Sequence, residues 1–363
     1  MEETRMNLAR SRHAWLAFAL MAATGAACAQ SSLTIFGVMD ASLTWGKGSG
    51  AGSADRLQVA NGSYNSSRLG FRGTEDLGGG LSASFWLEAG VSNDDGRAGG
   101  STSVGNQVSA SSNGLNFSRR STVSLAGPWG EVRVGRDYTP QFWNLTSFSP
   151  FGTNGVGTSQ AYLGTTALNG VTAVRASNAI SYFLPAKLGG VYGQVQYFAG
   201  ENASTDPNPR DGTGGGIRVG YAAGPLNVAV GTGYTRNAAG GVHQSNIAGH
   251  WDLGPAKLMA TYERDSRGTA QGRGWVFGGV APVGAGEVRA AISRYTTDRG
   301  AALDPRSTNV ALGYVHNLSK RTALYTTLAR VSNSGGATAA LGDAVTAPNS
   351  ASTGLDLGVR HTF

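Results

Sequence analysis

Arginine carries most of the chemistry this sequence can offer. In "RLGFRG" (68–73), Arg68 and Arg72 share one parity and Leu69 and Phe71 the other. An extended backbone would therefore present two guanidinium groups on one polar face. The same alternation sets Arg120 opposite Val123 and Leu125, Arg133 opposite Val132 and Val134, and Arg175 opposite Ile180 and Tyr182. Fixed positive groups around a confined aqueous passage favour anions. Each arginine also has a plainer role open to it, as a solvated side chain or a partner of Glu88, Glu131 or Asp40, so the set counts for more than any one member.

Other chemistries find little to work with. His243, His250, His316 and His361 lie in no ligand spacing such as H-x-x-x-H, and no G-x-S-x-G elbow marks a nucleophilic serine. "GTGGG" (212–216) leads into a strand, not the helix a phosphate-cradling loop needs. "NDDG" (93–96) and "DPNPRDG" (206–212) could hold a divalent cation but read more simply as polar turns, so no metal or cofactor is expected. The net charge is +7, yet the basic residues are scattered and make no nucleic-acid footprint.

The elements that would position these side chains begin after an export signal. Arg5, Arg10 and Arg12 precede a short apolar run, Ala14 to Ala23, and Ala27-Cys28-Ala29 supplies small residues at the cleavage positions. A lipoprotein signal acylated at Cys28 would call for Leu or Val where Gly25 stands. Residues 1–29 are read as a signal peptide and 30–363 as one mature domain, which then has no cysteine and no disulfide framework. Only 14% of the chain is charged, against roughly 25% in soluble domains. No later stretch approaches the length of a helical membrane span.

The mature chain repeats one unit: about ten alternating residues, a tight turn, about ten more, then a longer polar connection. Tight turns fall at 76–81, 126–131, 184–190, 222–227, 253–258, 282–287 and 316–321. Longer connections fall near 47–64, 93–116, 138–174, 201–213, 237–242, 266–270, 298–306 and 333–350. Seven and eight connections require sixteen strands. An even count with strictly alternating short and long connections suits an all-β, antiparallel transmembrane barrel, in which every backbone polar group is paired. Trp45, Trp129, Tyr138, Trp143, Trp251, Tyr262, Trp275, Tyr295 and Tyr314 lie near strand ends and could form interfacial girdles.

Four segments carry a resemblance: "SSRLGFRGTEDLGGGLSASFWLEAG" (66–90), "RRSTVSLAGPWGEVRVGRDYTP" (119–140), "LGYVHNLSKRTALYTTLA" (312–329) and the closing "GVRHTF". They resemble the general diffusion porins of Gram-negative outer membranes, in their trimeric, sixteen-stranded β-proteobacterial form. The resemblance implies a homotrimer of water-filled barrels in outer-membrane lipid and lipopolysaccharide, passing small hydrophilic or anionic solutes. It also implies that the third long loop, 138–174, folds inward to narrow the pore, with Pro150, Phe151 and Gly152 at its tip. Relatives carry an acid beside that turn; the 37 residues 138–174 contain no Asp, Glu, Lys, Arg or His. Opposite the loop the family presents an arginine ladder, which points to Arg119 as readily as Arg120, and to Arg136 although its parity matches the apolar face. A bulge near the strand end would shift parity between Arg119 and Arg120, so both are kept.

The last strand, "GLDLGVRHTF" (354–363), sets Leu355, Leu357, Val359 and Phe363 against Asp356 and Arg360, and must pair with the strand starting at Leu33 to close the barrel. The resemblance implies that Phe363 is the signal read by the outer-membrane assembly machinery. The expectation is a passive, weakly to moderately anion-selective channel, not an enzyme. Its rivals are a solute-specific channel, an outer-membrane hydrolase and an adhesive surface protein.

Overall fold

The computed structural model describes residues 32–363 except 99–100, 105, 112–113 and 301–302. The expected signal peptide, residues 1–29, lies outside the described residues. Strand β1 (Ser32–Lys47) pairs with two segments in succession: β2 (Arg56–Asn61) along its C-terminal half and β3 (Arg68–Gly78) along its N-terminal half. Together β2 and β3 make one barrel strand, interrupted at 62–67. After β4 (Leu81–Gly90), a separate hairpin of β5 (Ser101–Val104) and β6 (Gln107–Ser111) lies within the connection to β7 (Arg120–Gly127) and β8 (Gly130–Tyr138). Helices α1 (Phe142–Ser147) and α2 (Gln160–Asn169) precede β9 (Arg175–Phe183).

The rest is an unbroken antiparallel meander. It runs through β10 (Val191–Phe198), β11 (Gly214–Ala223), β12 (Leu226–Thr235), β13 (Val242–Asp252), β14 (Lys257–Arg267) and β15 (Ala270–Val283). It ends with β16 (Gly286–Asp298), β17 (Arg306–Asn317), β18 (Thr322–Ser334) and β19 (Ser352–Thr362). Strand β19 returns to β1, in register from Val38 opposite Thr362 to Lys47 opposite Thr353. With β2 and β3 counted as one, the seventeen segments of this sheet form the expected closed ring of sixteen strands.

Alternation sorts side chains into an apolar exterior and a polar interior, the reverse of a soluble sandwich. On β1, Leu33, Ile35, Met39 and Leu43 are exposed while Asp40, Ser42 and Thr44 are buried. On β10, Val191, Val195 and Tyr197 are exposed while Gln194 and Gln196 are buried. The seam follows the same rule, with Leu357, Val359 and Phe363 outward and Asp356 buried. Gly37 exchanges backbone hydrogen bonds of 3.0 and 3.1 Å with Phe363, whose ring occupies the space a Cβ at position 37 would need.

Two expectations about the connections need correcting. The expected long connection at 266–270 is a two-residue turn, Gly268-Thr269, between β14 and β15, with Gly268 at φ +58°. Strand pairing here reaches the end of both sequences, so there is no loop left to form. The first long connection is shortened as well, because β2 continues the second barrel strand. Of the aromatic residues expected at the girdles, Trp129, Trp251 and Tyr262 are exposed, whereas Tyr295 is buried and Tyr138 and Trp143 line an interior cavity.

Candidate functional site

Barrel register and one inward loop together create a cavity of about 940 Å³ that reaches from the loop tip to the short turn between β13 and β14. Its charged wall is built from neighbouring strands. Alternation turns Arg68 of β3, Trp86 and Glu88 of β4 and Arg120 of β7 inward, and pairing sets Glu88 opposite Arg120. Arg119 lies one residue before β7, where strict alternation no longer applies, and it too lines the cavity. Arg175 opens β9 opposite Tyr138, the last residue of β8. The alternative between Arg119 and Arg120 thus resolves geometrically: both reach the lumen.

Glu88 organises this wall. Its Oε1 accepts a hydrogen bond from Arg119 Nε at 2.7 Å and lies 3.8 Å from Arg68 Nε, and its Oε2 accepts from Trp86 Nε1 at 3.1 Å. The Tyr138 hydroxyl accepts from Arg119 Nη2 at 3.1 Å and from Arg175 Nη2 at 2.8 Å. The Arg175 guanidinium lies 4.4 Å from the centroid of the Tyr138 ring, and its Nε donates to the Arg119 carbonyl at 2.9 Å. Arg120 stacks over Trp86 at 4.6 Å and lies 3.8 Å from Asp137. Four arginines therefore converge on this wall, where two carboxylates, Glu88 and, beside Arg120, Asp137, neutralise them only in part. Such planar stacking fixes guanidinium groups without removing their charge.

Facing them is segment 139–174. Its tip brings Pro150, Phe151 and Gly152 to the cavity. Neutral amides and hydroxyls fasten it to the barrel. Asn144 donates to Asn246 Oδ1 at 2.8 Å, Thr165 donates to Asp265 at 2.5 Å, and Asn169 donates to Asp265 at 3.0 Å. The backbone N–H of Val156 donates to Asp356 at 2.9 Å, and that of Gln160 to the Ser293 hydroxyl at 2.8 Å. The tip adds an apolar lock, because Phe151 is only 6% exposed and packs with Val156, Ala311, Ala329, Val331 and Leu341. Burial raises the Tyr162 phenol above its ordinary pKa, so α2 offers the pore a neutral ring.

Of the seven arginines singled out in the sequence, Arg68, Arg119, Arg120 and Arg175 line the cavity and the other three do not. Arg72 faces inward one step nearer the short turn, stacked between Phe36 and Trp86 at 5.3 Å from each ring. Arg133 is held by Asp137 at 2.6 Å and Glu131 at 2.9 Å, over the Phe183 ring. Arg136 donates to the Ser118 carbonyl at 2.5 Å and the Ser177 hydroxyl at 2.8 Å, across a register shift after Gly135.

Sequence reasoning missed the opposite wall. Arg289 and Lys257 line the cavity there, with Glu287 and Asp252 beside them. Arg289 was legible, since Ala290 and Ile292 alternate against it on β16. Tyr64 comes from the interruption at 62–67, which turns into the lumen after Gly62 (φ +76°). Asp40 holds that turn by accepting from the backbone of Tyr64 at 3.1 Å and Asn65 at 2.6 Å, and from the Tyr325 hydroxyl at 2.5 Å. Tyr64 lies between two cations, accepting at its hydroxyl from Arg289 at 2.7 Å with Arg360 4.8 Å from its ring centroid. The Asn-Gly-Ser run at 61–63 was its turn signal.

Comparison with known proteins gives a consistent picture. A family profile described as Gram-negative porin matches residues 16–336. The chain is 37% identical to outer membrane porin protein 32 of Delftia acidovorans, with 96% of this chain and 99% of that one aligned. It is 29% identical to an outer membrane porin of Bordetella pertussis over the same shares of the two chains. Among solved structures it is similar to the anion-selective porin from Comamonas acidovorans, with TM-score 0.79 and 33% identity, covering 92% of this chain and all of the other. OmpT of Vibrio cholerae, at 15% identity and TM-score 0.65, shares the fold.

Proposed function

Because the chain belongs to the Gram-negative porin family and forms a water-filled outer-membrane channel, we propose that this pore prefers anions and moves them passively, without catalysis. The carrying observation is the asymmetry of the constriction, where Arg68, Arg119, Arg120 and Arg175 face a loop with no Asp, Glu, Lys, Arg or His. The similar Comamonas channel is described as anion-selective, which supports the same reading here. An anion entering this narrow, partly desolvated passage meets guanidinium groups already oriented by Glu88, Tyr138 and Trp86, while a cation meets repulsion on that side and only neutral dipoles on the other. The test is the zero-current potential of the reconstituted channel across a KCl gradient. The expected sign is that of chloride preference; a clear potassium preference would overturn the reading.

We further propose that the functional unit is a homotrimer assembled after cleavage of residues 1–29, with Phe363 recognised by the assembly machinery. Phe363 is 46% exposed at the membrane-facing seam, where a partner could reach its ring. Deleting it removes the backbone exchange with Gly37 as well as that ring. The expected result is a several-fold loss of heat-resistant oligomer in isolated outer membranes. Phe363→Tyr, which keeps the strand and an aromatic end, should retain most of it. Undiminished assembly of the deletion variant would refute the role.

A further inference from the structure

The constriction is more aromatic than the passage of small ions requires. Trp86, Tyr138, Phe142, Trp143 and Tyr162 line the cavity beside the arginines. On β1 and β10 the inward parity instead carries polar side chains such as Ser42, Thr44, Gln194 and Gln196. Four of the five rings form one connected group where the inward loop leaves β8. Tyr138 stacks on Phe142 at 5.0 Å and 14° and meets Trp143 in a T-shaped contact at 5.0 Å, and Phe142 lies 6.1 Å from Tyr162. Phe142 is buried within the group, whereas Trp143 of α1 and Tyr162 of α2 are only half-buried and stand at its two ends.

The donors around these rings are incompletely used. Arg119 commits Nε to Glu88 and Nη2 to the Tyr138 hydroxyl, and Arg175 commits Nε to the Arg119 carbonyl and Nη2 to the same hydroxyl. The Nη1 group of each makes no hydrogen bond among the described residues, and neither does the Trp143 indole N–H or the Tyr162 hydroxyl. Charged donors from the wall and neutral donors from the loop therefore stay available to one cavity. Tyr138 joins the two sets, its ring centroid 4.4 Å from the Arg175 guanidinium and 5.0 Å from the Trp143 ring. Chloride or an aliphatic carboxylate can use only the guanidinium side. A planar ring bearing a carboxylate can use both sides, placing its oxygens on the Nη1 groups and its face or edge against Trp143.

We propose that the constriction holds a subsite for aromatic carboxylates, with Trp143 distinguishing them from aliphatic anions of equal charge. This rests on the anion preference proposed above and adds a requirement for a ring. A solute held at the constriction interrupts the chloride current, so block of the reconstituted channel measures its binding. Benzoate and cyclohexanecarboxylate are the probes, because they carry the same charge at neutral pH and have nearly the same size, and the arginines alone would treat them alike. In the unmodified channel benzoate is expected to reach half-block at a concentration about fivefold lower than cyclohexanecarboxylate, the scale of one aromatic pair. Trp143→Leu should bring that ratio close to one, and Trp143→Phe should restore most of it. Equal block by the two acids in the unmodified channel would overturn the proposal without any variant; if that channel still prefers chloride across a KCl gradient, the anion reading survives. A potassium preference would overturn both. A Trp143→Leu channel in which both acids weaken alike, with the ratio kept, would assign Trp143 to holding the loop and overturn the proposal too.

Discussion

A channel carrying Arg119→Gln and Arg175→Gln together is expected to lose its anion preference and shift its zero-current potential toward potassium. Both side chains converge on the Tyr138 hydroxyl, so removing them strips adjacent positive charges from one point of the constriction. Two unit charges 4 Å apart interact by about 1 kcal/mol even in bulk water, roughly a fivefold change in local ion concentration. Losing two such charges should therefore lower the chloride-to-potassium permeability ratio on the order of tenfold. The loss also uncovers Glu88, which then keeps only Arg68 at 3.8 Å and the Trp86 indole as partners. Arg133→Gln is the control. That residue does not line the cavity and its charge is met by Glu131 and Asp137, the latter still 3.8 Å from Arg120, so its loss should shift the potential far less than the double variant does. A double variant with unaltered selectivity would remove this wall from the account of the pore.

The second large effect is expected from Phe151→Ala. The ring is the apolar lock between the loop tip, the wall residues Ala311, Ala329 and Val331, and Leu341 of the connection between β18 and β19. Truncating a buried Phe to Ala costs about 3–5 kcal/mol, through lost burial and the cavity left behind. Much of the remaining loop is fastened elsewhere, at Asp265 and Asn246, so the tip should come free while α1 and α2 stay docked. Single-channel recordings should show a larger, noisier conductance, and thermal unfolding should occur at a lower temperature. Phe151→Leu, which refills most of the volume, should restore a quiet trace. An unchanged conductance with an unchanged melting temperature would show that Phe151 does not hold the tip.

These expectations draw unequally on sequence and structure. Arg68, Arg120 and Arg175 were placed on the lumen face by parity, because hydrophobic alternation is a local, period-two signal. Arg72 obeyed the same parity yet stands below the cavity, since parity gives the face of a strand but not the height along it. Arg119 escaped parity because it precedes its strand, and Arg136 because a register shift intervenes after Gly135. Tyr64 was hidden because 62–67 reads as a surface turn, and only the Asp40 carboxylate draws it inward.

By itself the sequence determined the barrel. The alternating strands, the seven tight turns and the amphipathic closing strand require a closed antiparallel wall once the outside is lipid, because no strand edge can be left unpaired there. It also determined that the inserted loop would be uncharged and that arginine would be the dominant lumen cation. Tertiary structure decided which arginines meet, on which side, and against what. Those choices rest on contacts between residues far apart in the chain, Asn144 with Asn246, Thr165 with Asp265 and Val156 with Asp356, each a single hydrogen bond with no local pattern to announce it. Strand register is set by many repeated local preferences and so can be read from the chain. The constriction is set by a few long-range polar contacts and one buried ring, and those exist only once the barrel has closed around them.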